Sequence, residues 1–171
     1  VETDFDPLPF WYAPLEDDIA QDDDFPLHAI TQRPAAMYHS WGSMNAWLRQ
    51  IHGWNPLYIP RKLAKAKGIE TGDWVYLSSR QGRIKAIARV MDGVNENTVW
   101  TWNAIGKRKG AWNLSPDAEE SNKGFLLNHL IDELLPSQGN GYRYAAADPV
   151  TGQAAWYDLR VRLEKAPEIE D

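Results

Sequence analysis

The stretch WVYLSSRQGRIKAIARV, residues 74–90, decides the fold of this 171-residue chain. Apolar and polar residues alternate on both sides of residues 80–82, and a period of two is typical of a β-hairpin with one face in a core. The sequence therefore predicts a sheet with a solvent-exposed, basic outer face. The inward positions of the second strand are Ile84, Ala86, Ala88 and Val90, and the outward ones are Arg83, Lys85 and Arg89.

Shorter elements are predicted on both sides of this hairpin. Ser43 is expected to cap a helix that ends at Ile51 and buries one apolar face at helical spacing. Many short strands, few helices and no strand–helix–strand rhythm predict a mostly β fold with short helices, arranged as a small barrel. The predicted strands are 25–31, 57–59, 74–79, 83–90, 98–102 and 156–163; the predicted helices are 43–51, 60–68 and 125–135; and the face buried by the first helix is Trp47, Leu48 and Ile51.

Charge is distributed unevenly along the chain. The formal net charge is -6, but residues 1–24 carry nine acidic side chains and no Lys or Arg, whereas residues 25–163 carry 17 basic and 11 acidic ones. A basic body favours a phosphate-bearing ligand, although scattered solvated cations account for the charge equally well. Acidic ends and the lack of a nucleic-acid-binding motif disfavour nucleic acid as a partner.

Several classes of chemistry lack their residues in this sequence. There is no cysteine, which excludes disulfides, a thiolate nucleophile and iron–sulfur ligation by these residues. The four histidines do not stand at helical metal-ligand spacing, and hydrolase, Walker and Rossmann motifs are absent, so we expect neither a catalytic group nor a metal ligand here. No apolar run is long enough to span a membrane, and we expect no direct membrane insertion.

Polar residues cluster where the predicted strands end. Thr31 ends the first predicted strand and Arg33 lies just beyond it, and Asn103 follows the strand at residues 98–102. Strand ends offer unpaired backbone groups, and short polar side chains lose little entropy on binding, so such a surface suits a flat heterocycle. Ordinary turn chemistry is the alternative for each residue taken singly. The Gly72-Asp73 step is interpreted as a turn that pins the fold, and the basic loop 106–110 as an anion trap or a solvated loop.

With these residues in view, the chain resembles the C-terminal molybdopterin-dinucleotide-binding domain of the dimethyl-sulfoxide-reductase family of molybdenum oxidoreductases. The resemblance covers residues 25–165 and depends on the order of several weak motifs. Residues 32–43 and 100–110 are most similar to the subgroup that oxidises sulfite or related inorganic sulfur compounds. The motifs are Thr31-Gln32-Arg33, His39-Ser40, residues 57–60, Gly72-Asp73-Trp74-Val75, residues 79–82, Asn113-Leu114-Ser115 and residues 148–152.

The resemblance implies a double-psi β-barrel that binds and orients molybdopterin guanine dinucleotide, carrying molybdenum or tungsten. Other parts of a parent chain would supply the metal ligand and any iron–sulfur cluster, so the isolated domain is expected to be inactive. The expected partners are the remaining domains of a catalytic subunit and an iron–sulfur electron-transfer subunit. By motif position, the implied cofactor contacts are Thr31, Arg33, His39, Ser40, Asn103, Asn113, Lys123 and Asn128.

Two other functions remain open at this stage. One is a stand-alone double-psi barrel that serves as a protein-interaction module without a cofactor, and the other is a hydrolase or decarboxylase on the same barrel. The start at Val1 without an initiator Met or secretory pattern indicates a fragment of a longer protein. We therefore expect an acidic arm at 1–24, a barrel at 25–165 and an acidic tail at 166–171, in a bacterial cytoplasmic or periplasmic setting with the cytoplasm preferred.

Overall fold

The computed structural model describes residues 8, 11, 24–39, 41–103, 105, 115, 124–135, 137, 139, 141, 145–148, 151–154 and 159–167. Its strands are β1 (Leu27–Gln32), β2 (Leu57–Pro60), β3 (Trp74–Ser78), β4 (Arg83–Met91), β5 (Thr98–Trp102) and β6 (Arg160–Lys165). Its helices are α1 (Ala46–Ile51) and α2 (Arg61–Ala66), with 3-10 turns at Trp41–Met44 and Leu127–Leu130.

The strands of the described part close into a barrel in the order β1-β5-β2-β4-β3-β6. Pairs β1–β5 and β2–β4 are parallel, and the other neighbouring pairs are antiparallel. This confirms the predicted mostly β fold with short helices, and the mixed closed barrel fits the double-psi β-barrel implied by the resemblance. The carboxyl ends of β1, β3 and β5 and the amino ends of β2, β4 and β6 lie at the same end of the barrel, which we call the upper rim.

The barrel interior is filled by the apolar side chains that the alternation predicts to face inward. Val75 and Leu77 of β3 are fully buried, and their register partners Ala86 and Ile84 of β4 are buried with them. The predicted hairpin is confirmed, and its turn is closed by the Ser79 amide, which donates to the Gly82 carbonyl at 2.9 Å. The outward side chains of β4 are exposed or half-buried, as expected for a wet basic face.

The Gly72-Asp73 turn fixes the start of β3, as predicted. Gly72 has φ +102, a conformation that side chains disfavour, and its amide donates to Ala88 O at 2.9 Å. One carboxylate oxygen of Asp73 accepts from the Glu70 amide at 2.8 Å and pairs with Lys165 Nζ at 2.8 Å. The turn therefore connects α2, β4 and β6 to the start of β3.

The prediction of a buried face on the first helix is wrong. Asn45 caps α1, since its Oδ1 accepts from the Trp47 amide at 2.9 Å, and the side chain of the predicted cap, Ser43, lies outside the described residues. Trp47 is 77% exposed and Ile51 is 62% exposed. Leu48 is half-buried and faces the 3-10 turn, because a Cβ placed on Gly42 would come within 3.1 Å of its Cδ1.

The predicted helix at 125–135 is also wrong. Only the 3-10 turn Leu127–Leu130 forms there, and Ile131 is already extended at φ -86 and ψ 128. In a 3-10 turn side chains three residues apart line up, which lets both Leu127 and Leu130 be buried. The Leu130 carbonyl accepts from Ser79 Oγ at 2.7 Å, a contact with the hairpin that competes with continuing the helix.

Other sequence expectations lie outside the described residues. These are most of the acidic arm 1–24, the basic loop 106–110, strand positions 156–158 and most of the tail 166–171. Among the residues described, the helices are too short and too polar to cross a membrane.

Candidate functional site

The parallel pair β1–β5 brings three of the predicted site residues together at the upper rim. The register runs from His28 opposite Thr98 to Gln32 opposite Trp102, so both strands end at the same level. Arg33 and Asn103 follow directly, and the Asn103 amide donates to the Gln32 carbonyl at 2.8 Å. Arg33 and Asn103 are far apart in the sequence, and the parallel pairing of β1 with β5 brings them to the same end of the barrel.

Two buried polar atoms at this rim are unsatisfied. Thr31 Oγ1 and Asn103 Oδ1 are buried and find no hydrogen-bond partner among the described residues. Leaving such an atom without a partner costs about 1–3 kcal/mol. The Thr31 hydroxyl can donate or accept a hydrogen bond, and the Asn103 amide oxygen can accept one. Together they can form hydrogen bonds with the polar edge of a bound heterocycle.

Asn55, which sequence reasoning missed, holds the end of β5 in place. The side chain is almost fully buried, its Nδ2 donates to Trp102 O at 2.9 Å, and its Oδ1 accepts from Trp102 N at 3.1 Å. The same oxygen accepts from Thr101 Oγ1 at 2.7 Å. The Asn55-Pro56 step gives a sequence signal for a turn but none for this contact, since its partner lies 47 residues away.

Aromatic rings cover the outer face of β2 and β5, where they alternate with the core residues Leu57, Ile59 and Val99. Tyr58 and Trp100 stack with ring centroids 3.8 Å apart, and Trp102 Nε1 donates to Tyr58 Oη at 3.1 Å. The His52 ring lies 5.3 Å from that of Trp102, and burial lowers the pKa of His52 below its usual value, which favours the neutral imidazole. This cluster therefore packs β2 against β5 on the outside of the barrel, and the Arg89 guanidinium lies 5.6 Å from the centre of the Tyr58 ring.

Arg33 and His39 lie on the segment that leaves β1. Arg33 is exposed directly after β1, and its guanidinium carries a positive charge that can neutralise an anion. His39 is half-buried in a left-handed conformation at φ +49, and its ring meets the Tyr38 ring edge-on at 5.1 Å. The adjacent predicted contact, Ser40, lies outside the described residues.

Asn128 is placed apart from the β1–β5 pair. It is exposed on the 3-10 turn that packs beside β4, at the same end of the barrel as Thr31 and Asn103. In the strand order, β2 separates β4 from β5. A groove of about 600 Å³ opens there, between the hairpin and the turn, and is lined by cations and apolar side chains including Arg83, Lys85 and Phe125.

The remaining predicted contacts are not placed. Asn113 and Lys123 lie outside the described residues, as Ser40 does. In the described part of the chain, no cluster of three His, Cys, Asp or Glu side chains is arranged to hold a metal ion. What the described rim can do is hydrogen-bond and neutralise charge.

A family model described as "Molydopterin dinucleotide binding domain" matches residues 27–146, which include both strand ends of the rim. The chain belongs to the molybdopterin-dinucleotide-binding domain family. This confirms the resemblance drawn from the sequence and its implied function, a cofactor-binding domain of a molybdopterin oxidoreductase. The unsatisfied polar atoms and the neighbouring Arg33 fit a large heterocyclic, phosphate-bearing cofactor.

Relatives of known kind agree with this assignment. The chain is 55% identical over 166 residues to one subunit of the sulfite dehydrogenase of Allochromatium vinosum, covering 97% of this chain and 17% of that protein. It is 29% identical to the formate dehydrogenase major subunit of Haemophilus influenzae, covering 88% of this chain and 14% of that one. The chain thus spans about a sixth or less of the length of these two relatives.

A solved structure confirms the fold. Acetylene hydratase from Pelobacter acetylenicus superposes with a TM-score of 0.65 at 18% identity, over 96% of this chain and 22% of that chain. Together with the family match, the relatives support molybdopterin guanine dinucleotide with molybdenum as the cofactor. They do not favour the alternative of a stand-alone interaction module.

Proposed function

We propose that this domain binds the dinucleotide cofactor in a catalytic subunit that oxidises sulfite or a related inorganic sulfur compound. The 55% identity to a sulfite dehydrogenase subunit, across nearly the whole chain, supports this substrate class over the formate class of the more distant relative. When bound, the cofactor supplies the metal-centred redox chemistry, while the protein binds and orients the cofactor and excludes water from it.

The observation that carries the proposal is the pair of unsatisfied atoms at the ends of β1 and β5. Asn103 Oδ1 accepts hydrogen bonds from the cofactor, Thr31 Oγ1 donates to it or accepts from it, and Arg33 neutralises phosphate oxygens. The buried clamp at Asn55 holds this end of β5. Further contacts are proposed at His39, Ser40, Asn113, Lys123 and Asn128.

The domain works as part of a larger assembly. Residues 25–165 form the cofactor-binding barrel, with an acidic arm at 1–24 and an acidic tail at 166–171. A longer polypeptide, of the length of the relatives, supplies the remaining domains with the metal ligand, and an iron–sulfur subunit transfers electrons. The 171-residue chain alone lacks that ligand, and we expect it to be inactive.

The test is cofactor loading of the longer polypeptide. Asn103→Ala and Arg33→Ala should each lower molybdenum and guanine nucleotide content, because each lost bond to the cofactor weakens binding by about 1–3 kcal/mol. Asn95→Ala is the matched control, since Asn95 precedes the opposite end of β5 and accepts from the Asn97 amide at 3.3 Å. Full loading of both rim variants would reject the assigned contacts.

Substrate class is tested separately on the loaded wild-type protein. Sulfite should reduce it and drive turnover with an artificial electron acceptor, whereas formate should not. A loaded protein that oxidises formate and leaves sulfite unchanged would reject the substrate and keep the cofactor-binding function.

A further inference from the structure

An apolar stripe of large side chains projects from the segment between β1 and β2. Its members are Tyr38, Trp41, Met44, Trp47 and Ile51, with exposed fractions of 67%, 79%, 75%, 77% and 62%. Apolar side chains scattered singly over a surface need no explanation, but a contiguous exposed group of this size marks an interaction site. Tryptophan and tyrosine are also enriched among the residues that dominate binding energy.

The members of the stripe recur at intervals of three, three, three and four residues. Trp41 and Met44 lie three apart on the 3-10 turn, and Trp47 and Ile51 lie four apart on α1, so each pair shares one face of its element. The extended Asn45 separates the two elements and caps α1, and the Trp41 amide connects the turn to Tyr38 by donating to its carbonyl oxygen at 3.0 Å.

The inner side chains of this segment pack on one another. Met37 is buried, and both Met37 and Leu48 lie against Gly42. These contacts stay within the segment and leave the five large side chains of the stripe exposed.

We propose that the stripe docks onto an apolar surface of another domain of the same longer polypeptide, beside the cofactor rim. This rests on the proposed function insofar as it assumes that polypeptide. The domain makes up 17% of the relative to which it is 55% identical, so most of that chain is available to cover the stripe.

The chemistry of the segment favours an apolar protein surface over a membrane. Helices that lie in a membrane interface carry Lys and Arg on their polar face, whereas residues 38–51 contain one such cation, Arg49, which is half-buried. The described helix also has six residues, too few for a stable interfacial helix of its own. Trp and Met side chains suit the dry core of a protein interface.

Both ends of the segment are connected to the rim. The stripe starts one residue before His39, and α1 ends at Ile51, next to His52, whose ring contacts Trp102. A domain docked on the stripe would cover this side of the rim and exclude water from the hydrogen bonds made by Thr31 and Asn103. Docking and retention of the cofactor are therefore coupled.

Hydroxyl-radical footprinting of the longer polypeptide tests the proposal directly. We expect Trp41, Met44 and Trp47 to be oxidised roughly tenfold more slowly than their intrinsic reactivities allow, because the core of a protein interface is packed as densely as an interior. This protection should be the same at all protein concentrations and without lipid or other subunits. Oxidation at the rate of exposed side chains would overturn the proposal.

Other occupants give different results, each of which also overturns it. Protection that disappears on dilution would indicate a second copy of the chain. Protection that requires phosphatidylglycerol vesicles or an added subunit would indicate a membrane or that subunit. Cofactor content, measured on the same sample, shows separately whether the proposed function holds.

A variant pair supplies a second measurement. Trp41→Ser with Trp47→Ser removes exposed side chains, so the barrel should fold as before, but limited trypsin digestion should release the domain several-fold faster. Leu134→Ser is the control, because Leu134 is 43% exposed and lies outside the stripe. Equal digestion of the double variant and the wild type would contradict docking through the stripe.

Discussion

The side chain of Asn55 and the backbone of Trp102 make a reciprocal pair of hydrogen bonds, with Nδ2 to O at 2.9 Å and N to Oδ1 at 3.1 Å. One carboxamide thereby joins the amino end of β2 to the carboxyl end of β5. Because Asn103 follows Trp102 directly, the clamp also sets the position of a proposed cofactor contact.

We expect Asn55→Leu to destabilise the 171-residue chain by about 3 kcal/mol, since it removes the Asn55 partner from the amide and the carbonyl of Trp102 and leaves the Thr101 hydroxyl only its 3.3 Å bond to the Pro56 carbonyl. Denaturant unfolding measures the change. Asn95→Ala, at an exposed turn, should cost less than about 1 kcal/mol. Equal losses for the two variants would show that the clamp contributes nothing specific.

Thr31→Val should affect stability and binding in opposite directions. The substitution removes a buried hydroxyl that lacks a partner in the described part of the chain, so the cofactor-free chain should be unchanged or stabilised by up to about 1 kcal/mol. The longer polypeptide should nevertheless retain less cofactor. Thr98→Val, at the other end of β5, is the control and should leave cofactor content unchanged; a strongly destabilised, fully loaded Thr31→Val variant would refute the assignment.

Asp73 should give the domain an acid-dependent stability. The hydrogen bond from Lys165, together with that from the Glu70 amide, lowers the pKa of Asp73 below its usual 3.8. A lowered folded-state pKa stabilises the fold above the unfolded-state value, and this contribution is lost as the pH falls below about 4 toward the folded-state value.

The melting temperature of Asp73→Asn should therefore fall below that of the wild type at pH 7, and the difference should shrink at pH 3. Asp92→Asn serves as the comparison, because the Asp92 side chain is 71% exposed in its pair with Arg61, and screened surface pairs contribute little. A pH-independent difference for Asp73→Asn would indicate that packing, not ionisation, is responsible.

Gly72→Ala should destabilise the barrel by about 1–2 kcal/mol, because a Cβ is strained at φ +102 even though no atom lies within 4 Å of it. Gly82→Ala is the matched control: its φ is not in the positive range, and the new Cβ would meet His129 O at an ordinary 3.6 Å. Thermal unfolding of both variants decides whether backbone conformation is the cause.

Local patterns predicted the parts of the fold that depend on neighbouring residues. The alternation around residues 80–82 identified the β3–β4 hairpin, and the strand pattern placed Thr31, Arg33 and Asn103 at the ends of β1 and β5. The register of β1 on β5 is a long-range property, so the sequence could not show that these residues share a rim.

The two wrong helix predictions, at residues 125–135 and on the buried face of α1, also depend on contacts that the local sequence does not specify. Apolar spacing over residues 125–135 is compatible with a helix, but the contact from Ser79 to Leu130 and the burial of Leu127 favour a short 3-10 turn. For α1, Trp47 and Ile51 were expected in the core because their spacing is helical. Spacing defines an apolar face without specifying whether the domain itself or another one covers it.

The most direct test of the account is an experimental structure of the cofactor-loaded longer polypeptide. It should place Asn103 Oδ1 and Thr31 Oγ1 within hydrogen-bond distance of the dinucleotide, at about 2.7–3.2 Å, with Arg33 beside a phosphate. A cofactor bound away from the ends of β1 and β5, with both atoms satisfied by protein or water, would contradict it.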